Sequence, residues 1–352
     1  MILKRIIFIA IALPLLLSGC GGGDGGKELP PPDPIGPVNP QPNPNPNPDP
    51  GSETVTPLGK NWEAKKIDEG IIYHSFSGSD EISGKMQQVF VVDVDLNNPN
   101  YKVQLVYTSP REVTSEAFRK NNAIAAMNAN YEPGSIYIRV NGDVKSNLPN
   151  TTIGDTGVAN WKSEAAFSSN RERGIGIHYI GSQKKGEKTV AEQRQWCSNA
   201  SLTEMPDLIT SAPMLIDNYN KLGENFCDYT MSSADVNSLN SEHPDRHQRV
   251  RHPRSAVALT ESGHFLLFVV DGRSNVSVGM SARELTRFLV KWFNPQYALN
   301  MDGGGSSTLC VKGEGDPTTH VVNYPCDNLT DKNHPDHDGQ RSRDVHFVIL
   351  KK

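Results

Sequence analysis

One stretch narrows the fold more than any other. Residues 264–270 read HFLLFVV, apolar almost throughout, and stop abruptly at Asp271-Gly272-Arg273. A half-exposed strand alternates apolar and polar side chains, so a strand with no polar phase is covered on both faces. The chain therefore has to build a layer on each side of it. Ser255-Ala256-Val257-Ala258-Leu259-Thr260 precedes it across Glu261-Ser262-Gly263, which makes the pair a hairpin. Downstream, Ser281 and Glu284 make an S-x-x-E capping box, and Leu285, Phe288, Leu289 and Trp292 recur at helical spacing before Pro295 ends the helix. That stripe is core packing. Tyr297-Ala298-Leu299-Asn300-Met301 then runs as a second strand into Asp302-Gly303-Gly304-Gly305-Ser306-Ser307. If the two strands are neighbours, Asp271 and Asp302 sit on one rim.

The remaining chain reads as short strands separated by turns. Residues 88–96 and 101–107 flank Asn97-Asn98-Pro99-Asn100, and residues 115–120 form a short helix feeding a small-residue strand at 123–128. Ile136–Val140 meets Asn141-Gly142, a pair that favours the primed turn of a hairpin. The expected class is α+β, a mixed, mostly antiparallel sheet with packed helices, in one domain at 58–352.

The N-terminus stands outside that domain. Lys4 and Arg5 precede an apolar run from Ile6 to Leu17, too short for a comfortable membrane span, and Leu17-Ser18-Gly19-Cys20 follows. This resembles a bacterial lipoprotein signal, which implies removal of residues 1–19 and lipidation of Cys20. Gly21 carries no inner-membrane retention signal. The expected location is extracytoplasmic and lipid-anchored at the bacterial cell envelope, on the outer membrane if the cell is Gram-negative. Residues 20–57 are rich in Gly, Pro and Asn (PPPDPIGPVNPQPNPNPNPDPG), have little to bury, and form an extended tether.

Four cysteines besides Cys20 make an even number in an exported chain, so two disulfides are expected, paired locally as Cys197–Cys227 and Cys310–Cys326. No C-x-x-C spacing points to a metal. The formal net charge is −5, with no concentrated basic stripe and no electrostatic case for nucleic acid.

The glycine triplet after Asp302 is either a turn or a close approach of backbone to ligand. It lacks the Gly-Lys-Ser/Thr of a P-loop and the G-x-G-x-x-G of a dinucleotide site, and no G-x-S-x-G occurs. Asp271 and Asp302 supply carboxylates. Arg254, Arg273, the amides of Gly303, Gly304 and Gly305 and the hydroxyls of Ser306 and Ser307 supply donors for an anion. Histidines gather at His243, His247 and His252 and around His334-Pro335-Asp336-His337-Asp338, without strict ligand spacing, and read as solvated loops rather than a metal site.

Several of these segments together resemble the phosphodiester glycosidase family: Pro253-Arg254-Ser255-Ala256-Val257-Ala258, Val270-Asp271-Gly272-Arg273, Gly279-Met280-Ser281 with Glu284-Leu285, and Asn300-Met301-Asp302-Gly303-Gly304-Gly305-Ser306-Ser307-Thr308. Looser matches lie at 125–131, at 209–215, at Val322-Asn323-Tyr324-Pro325 and at Arg341-Ser342-Arg343. The resemblance implies a hydrolase that cleaves the glycosidic C–O bond of a sugar-1-phosphate diester, acting on a glycan or sugar phosphate. It implies Asp302 at the water or anomeric centre, Arg254 and Arg343 on phosphate, and Asn128 and Asp271 on sugar hydroxyls. No cofactor is required; a structural divalent cation such as calcium is left open. The competing readings are a metal-dependent phosphodiesterase acting at phosphorus and a non-catalytic envelope glycan binder.

Overall fold

The structure, a computed structural model, describes residues 55–149 and 160–352. The expected signal at 1–19, Cys20 and the tether up to residue 54 lie outside the described residues. Strands β1 (Trp62–Asp68), β2 (Ile71–Asp80), β3 (Lys85–Asp95) and β4 (Tyr101–Glu112) come first, then helix α1 (Thr114–Lys120) and β5 (Ala125–Asn128). They are followed by β6 (Ile138–Val140), β7 (Asp143–Ser146), β8 (Ala165–Ser169), β9 (Ile175–Tyr179), α2 (Val190–Asn199), β10 (Asp207–Ser211) and β11 (Met214–Asp217). Two short helices, α3 (Ser233–Ser238) and α4 (Pro244–Arg249), lead to the hairpin β12 (Arg254–Leu259) and β13 (His264–Val270). Helix α5 (Ala282–Trp292), β14 (Tyr297–Asn300), β15 (Leu309–Val311) and β16 (Arg343–Lys351) complete the order.

The strands form a seven-stranded sheet in the order β1-β2-β3-β13-β12-β14-β11, a five-stranded sheet β7-β6-β10-β8-β9, and a four-stranded sheet β15-β5-β16-β4. Every pairing between these strands is antiparallel. The class is α+β as expected, with three antiparallel sheets where the sequence suggested one mixed sheet.

β13 lies between β3 and β12, in the middle of the largest sheet. Phe265, Leu267 and Val269 face the main core, shared with β4, β5, β8 and β16. Leu266, Phe268 and Val270 face the opposite side and pack with Leu285, Phe288 and Leu289 of α5. Full burial of each such side chain is worth about 1.5–3 kcal/mol, which fixes both the strand and the helix laid over it. Helix α5 starts at the expected box: Ser281 Oγ accepts from Glu284 N (3.3 Å), and Ser281 N donates to Glu284 Oε2 (2.9 Å).

Strands β13 and β14 are not neighbours, because β12 lies between them. Each runs antiparallel to β12, so they run parallel to each other and end on the same edge, where β12 begins. Arg254, at the start of β12, thus stands between the strand ends that carry Asp271 and Asp302.

The expected disulfides are absent. Cys197, Cys227, Cys310 and Cys326 are all free and buried. Cys227 belongs to the main core, Cys310 to the cluster around Phe118 and Val348, and Cys197 to the cluster around Tyr137 and Leu208. Cys326 stands beside the Arg273 guanidinium (3.8 Å). Cys197 and Cys227, near in sequence, are carried into different packing clusters, and Cys326 turns to Arg273 rather than into the cluster that holds Cys310. Burial pushes the thiols of Cys197 and Cys227 up to about 12.

Candidate active site

The loop after β14 explains its glycines. At Gly303 a Cβ would lie 2.7 Å from the Pro253 carbonyl oxygen, so backbone packs directly on backbone there. Gly304 has φ +63 and donates its N–H to Pro253 O (2.8 Å). Gly304–Ser306 form one 3-10 turn, and the Cα of Gly305 lies against the Asp327–Arg341 ion pair. The turn reading holds, and the close approach that these glycines permit is to the start of β12.

This packing presents Asp302 to Arg343 at the start of β16, with Oδ2 2.8 Å from Arg343 Nε and both side chains at most 10% exposed. The N–H groups of Arg343 are aimed elsewhere: Nε and Nη2 donate to Ser306 Oγ, and Nη1 donates to Glu132 Oε1 (2.7 Å). Asp302 Oδ2 therefore feels the cation without receiving a directed hydrogen bond, and it has no hydrogen-bond partner. Burial raises the Asp302 carboxyl above the ordinary range; Arg343, the Ser306 hydroxyl and Lys162 pull it partly back. Burial also acts to raise Glu132, but Arg343 and Arg111 outweigh it and hold Glu132 below its usual value.

Other residues singled out in the sequence hold this loop. Asn128 Nδ2 donates to Asp302 O (2.7 Å), and its Oδ1 accepts from Ser255 Oγ (2.8 Å) and Thr308 N (3.1 Å). Asp271 accepts from Asn323 Nδ2 and from Tyr324 N, both at 2.9 Å, and Asn323 also donates to Ser307 O. Burial pushes Asp271 up to about 7 despite these two donors. Arg254 is 1% exposed. Its guanidinium donates to Met280 O, Gln248 Oε1, His247 O and Val250 O at 2.8–3.0 Å, so its donors are engaged within the protein. Arg273, by contrast, is exposed; it reaches His252 Nδ1 (3.4 Å) and lies over Gly304. The Ser307 hydroxyl is buried without a partner.

A second group of residues escaped the sequence. Tyr131, Trp161 and His247 form an aromatic triad with ring centroids 5.2–5.9 Å apart. Lys162 Nζ lies 4.8 Å above the Tyr131 ring and pairs with Glu242 Oε2 (2.6 Å). The Lys162 charge acts on both Asp302 and His247, which ties the triad to the carboxylate. The histidines at 243–252 are thus no solvated loop: His247 sits on α4 against two rings. Burial, with Arg254 and Arg273, lowers His252 to about 3. Asn130, which follows the small-residue strand β5, secures β16: its Oδ1 accepts from Val345 N (2.8 Å), and its Nδ2 donates to Asp344 Oδ2 (3.1 Å). Among the described residues, no group of three or more His, Cys, Asp or Glu side chains is placed to hold a metal ion.

No curated protein matches the chain in sequence. Among solved structures, the catalytic domain of zebrafish N-acetylglucosamine-1-phosphodiester alpha-N-acetylglucosaminidase, described as auto-inhibited by its pro-peptide, is similar at 18% identity and a TM-score of 0.51. The match covers 84% of this chain and 85% of that one. A hypothetical protein from Synechocystis is similar at 13% identity and a TM-score of 0.53, over 84% of this chain and 64% of that one. At such identities the likeness speaks for the fold. The phosphodiester glycosidase family model matches residues 121–350. That span takes in β5, the whole rim from Arg254 to Thr308, and Arg343; the chain belongs to the phosphodiester glycosidase family.

Proposed function

We propose that the chain hydrolyses the glycosidic C–O bond of a sugar-1-phosphate diester, releasing a reducing sugar and a phosphomonoester. The observation that carries this reading is Asp302: a buried carboxylate, charge-paired to Arg343, with one oxygen that no hydrogen bond occupies. Water adds through its oxygen to the anomeric carbon while the bond to the phosphate oxygen breaks, and the electron pair leaves with the phosphomonoester. Asp302 stabilises the oxocarbenium-like centre and takes the proton lost by water. A phosphomonoester is a good leaving group, so the demand for a strong general acid is weaker than in an ordinary glycosidase.

With the Arg254 donors engaged inside the protein, the cations we assign to phosphate are Arg273 and Lys162. Arg343 holds Asp302, and Asn128 and Asp271 hold the loop. Hydrolysis in oxygen-18 water is the test: label in the sugar supports the reading, and label in the phosphate overturns it. Asp302→Asn should lower turnover by roughly two to four orders of magnitude without unfolding the chain. We also propose that Cys20 is lipidated and that the proline-rich tether holds the domain off a cell-envelope membrane. Cys20→Ser should release the chain into the soluble fraction.

A further inference from the structure

Residue His247 has a chemical state fixed by its neighbours. Gln248 lies between three groups. Its Oε1 accepts from Arg254 Nη1 (2.9 Å), and a guanidinium can only donate, so the amide orientation is set. The Nε2 of Gln248 must then face the other way, toward His247 Nδ1 (3.1 Å) and Tyr131 OH (3.2 Å). An amide nitrogen only donates, so His247 Nδ1 is the acceptor. In the neutral ring the proton is consequently on Nε2. That atom makes no hydrogen bond to a described residue, and it is not among the buried polar atoms that lack a partner, so it is open to a ligand.

The groups facing the ring keep it neutral. Tyr131 and Trp161 pack against it, and the permanent charges acting on it are positive: Lys162 before β8, Arg254 on β12 and Arg273 after β13, while His252, before β12, is itself held neutral. Burial and these cations hold His247 well below the usual imidazole value. A neutral N–H donor among cations is suited to an anionic oxygen. Resting on the sugar-phosphodiester reading above, we propose that Gln248 locks His247 as the Nε2–H tautomer and that this N–H binds a phosphoryl oxygen of the substrate. Gln248 is then a positioning residue and His247 a substrate-binding one.

The test uses the full chain labelled with 15N-histidine, with inorganic phosphate as the probe. The expected spectrum shows His247 protonated at Nε2 and not at Nδ1 at neutral pH, with the Nε2–H signal moving as phosphate is added. Gln248→Glu replaces the donor with an acceptor and should transfer the ring proton to Nδ1. His247→Phe, which preserves ring packing, should weaken phosphate binding roughly tenfold to hundredfold, whereas His247→Gln, which keeps an N–H near the same place, should stay within about threefold of the wild type. A wild-type ring protonated at Nδ1, phosphate affinity unchanged in a folded His247→Phe, or no phosphate binding to the wild type would each overturn the proposal. If the tautomer and the phosphate response are as expected but no reducing sugar is ever released, the reaction proposed above fails and the assignment of His247 stands.

Discussion

Replacing Arg343 by Met tests whether the Asp302 site depends on charge compensation or merely on packing. The guanidinium is buried, lies 2.8 Å from Asp302 Oδ2, and also bonds Ser306 and Glu132. Met retains most of the volume and removes the charge. Breaking a buried pair by removing one partner costs about 3–5 kcal/mol, because the remaining charge is left without compensation. For a domain of this size that corresponds to a fall in Tm of roughly 5–8 °C. The sign of the pH dependence follows from Asp302, whose carboxyl is already raised by burial. A group with a raised folded pKa contributes stability that is fully present below its unfolded value and is lost as pH rises through the folded one. Without Arg343 the folded value climbs further, so the window of loss widens and the deficit of the variant grows with pH. Thermal melts at pH 4, 6 and 8 measure this directly. Adding Asp302→Asn removes the stranded charge, and the double variant should recover about 1–3 kcal/mol relative to additivity. A deficit that does not change with pH, together with strict additivity in the double variant, would refute the charge argument.

Other outcomes follow from the same geometry. Burial raises Asp271 from 3.8 to about 7, so its ionisation should lower wild-type stability by about 4 kcal/mol between pH 4 and pH 8. Asp271→Asn, which loses one of two accepted hydrogen bonds, should be the less stable protein at pH 5 and should lack that slope in denaturant titrations. Gly303→Ala forces a Cβ to 2.7 Å from the Pro253 carbonyl and should reduce both stability and turnover. Gly304→Ala, strained by φ +63 but facing only the movable end of Arg273, should cost about 1–2 kcal/mol, measured by denaturation, and leave more activity than Gly303→Ala. Thiol titration of the folded chain at pH 8 should find Cys197, Cys227, Cys310 and Cys326 unreactive, and unfolding should expose all four.

The parts of the fold that were legible in the sequence are those written locally. The capping box at Ser281, the stripe on α5 and the uniformly apolar β13 each depend on residues within a few positions of one another. Their boundaries emerge as read. The rim was legible too, as two strands ending in Asp-Gly, but the strand order was not. The placement of β12 between β13 and β14 is decided by pairings across tens of residues, and it is this that draws Arg254 inward and engages its guanidinium. The same long-range geometry hid the triad. Tyr131, Trp161 and His247 are ordinary core-like residues in three separate segments, with no spacing that announces a site. The cysteine pairing failed for a related reason: nearness in sequence does not mean a shared packing cluster. The role of Asn130 likewise rests on a long-range placement, β16 beside β5.

The place of β16 also bears on how the protein reaches its working state. It is an interior strand of its sheet, flanked by β5 and β4, and its first residue is the cation that Asp302 requires. Residues 128–132 and 302 are made long before residue 343 emerges during synthesis. Until that strand inserts, Asp302 has no counter-charge, Asn130 has lost Val345 and Asp344, and the edges of β4 and β5 lie open to wrong partners. Formation of the Asp302–Arg343 pair and closure of the sheet are therefore one event. A chain cut before Arg343 would lack a strand and a charge at the same stroke, and no partly folded form carries a finished carboxylate site.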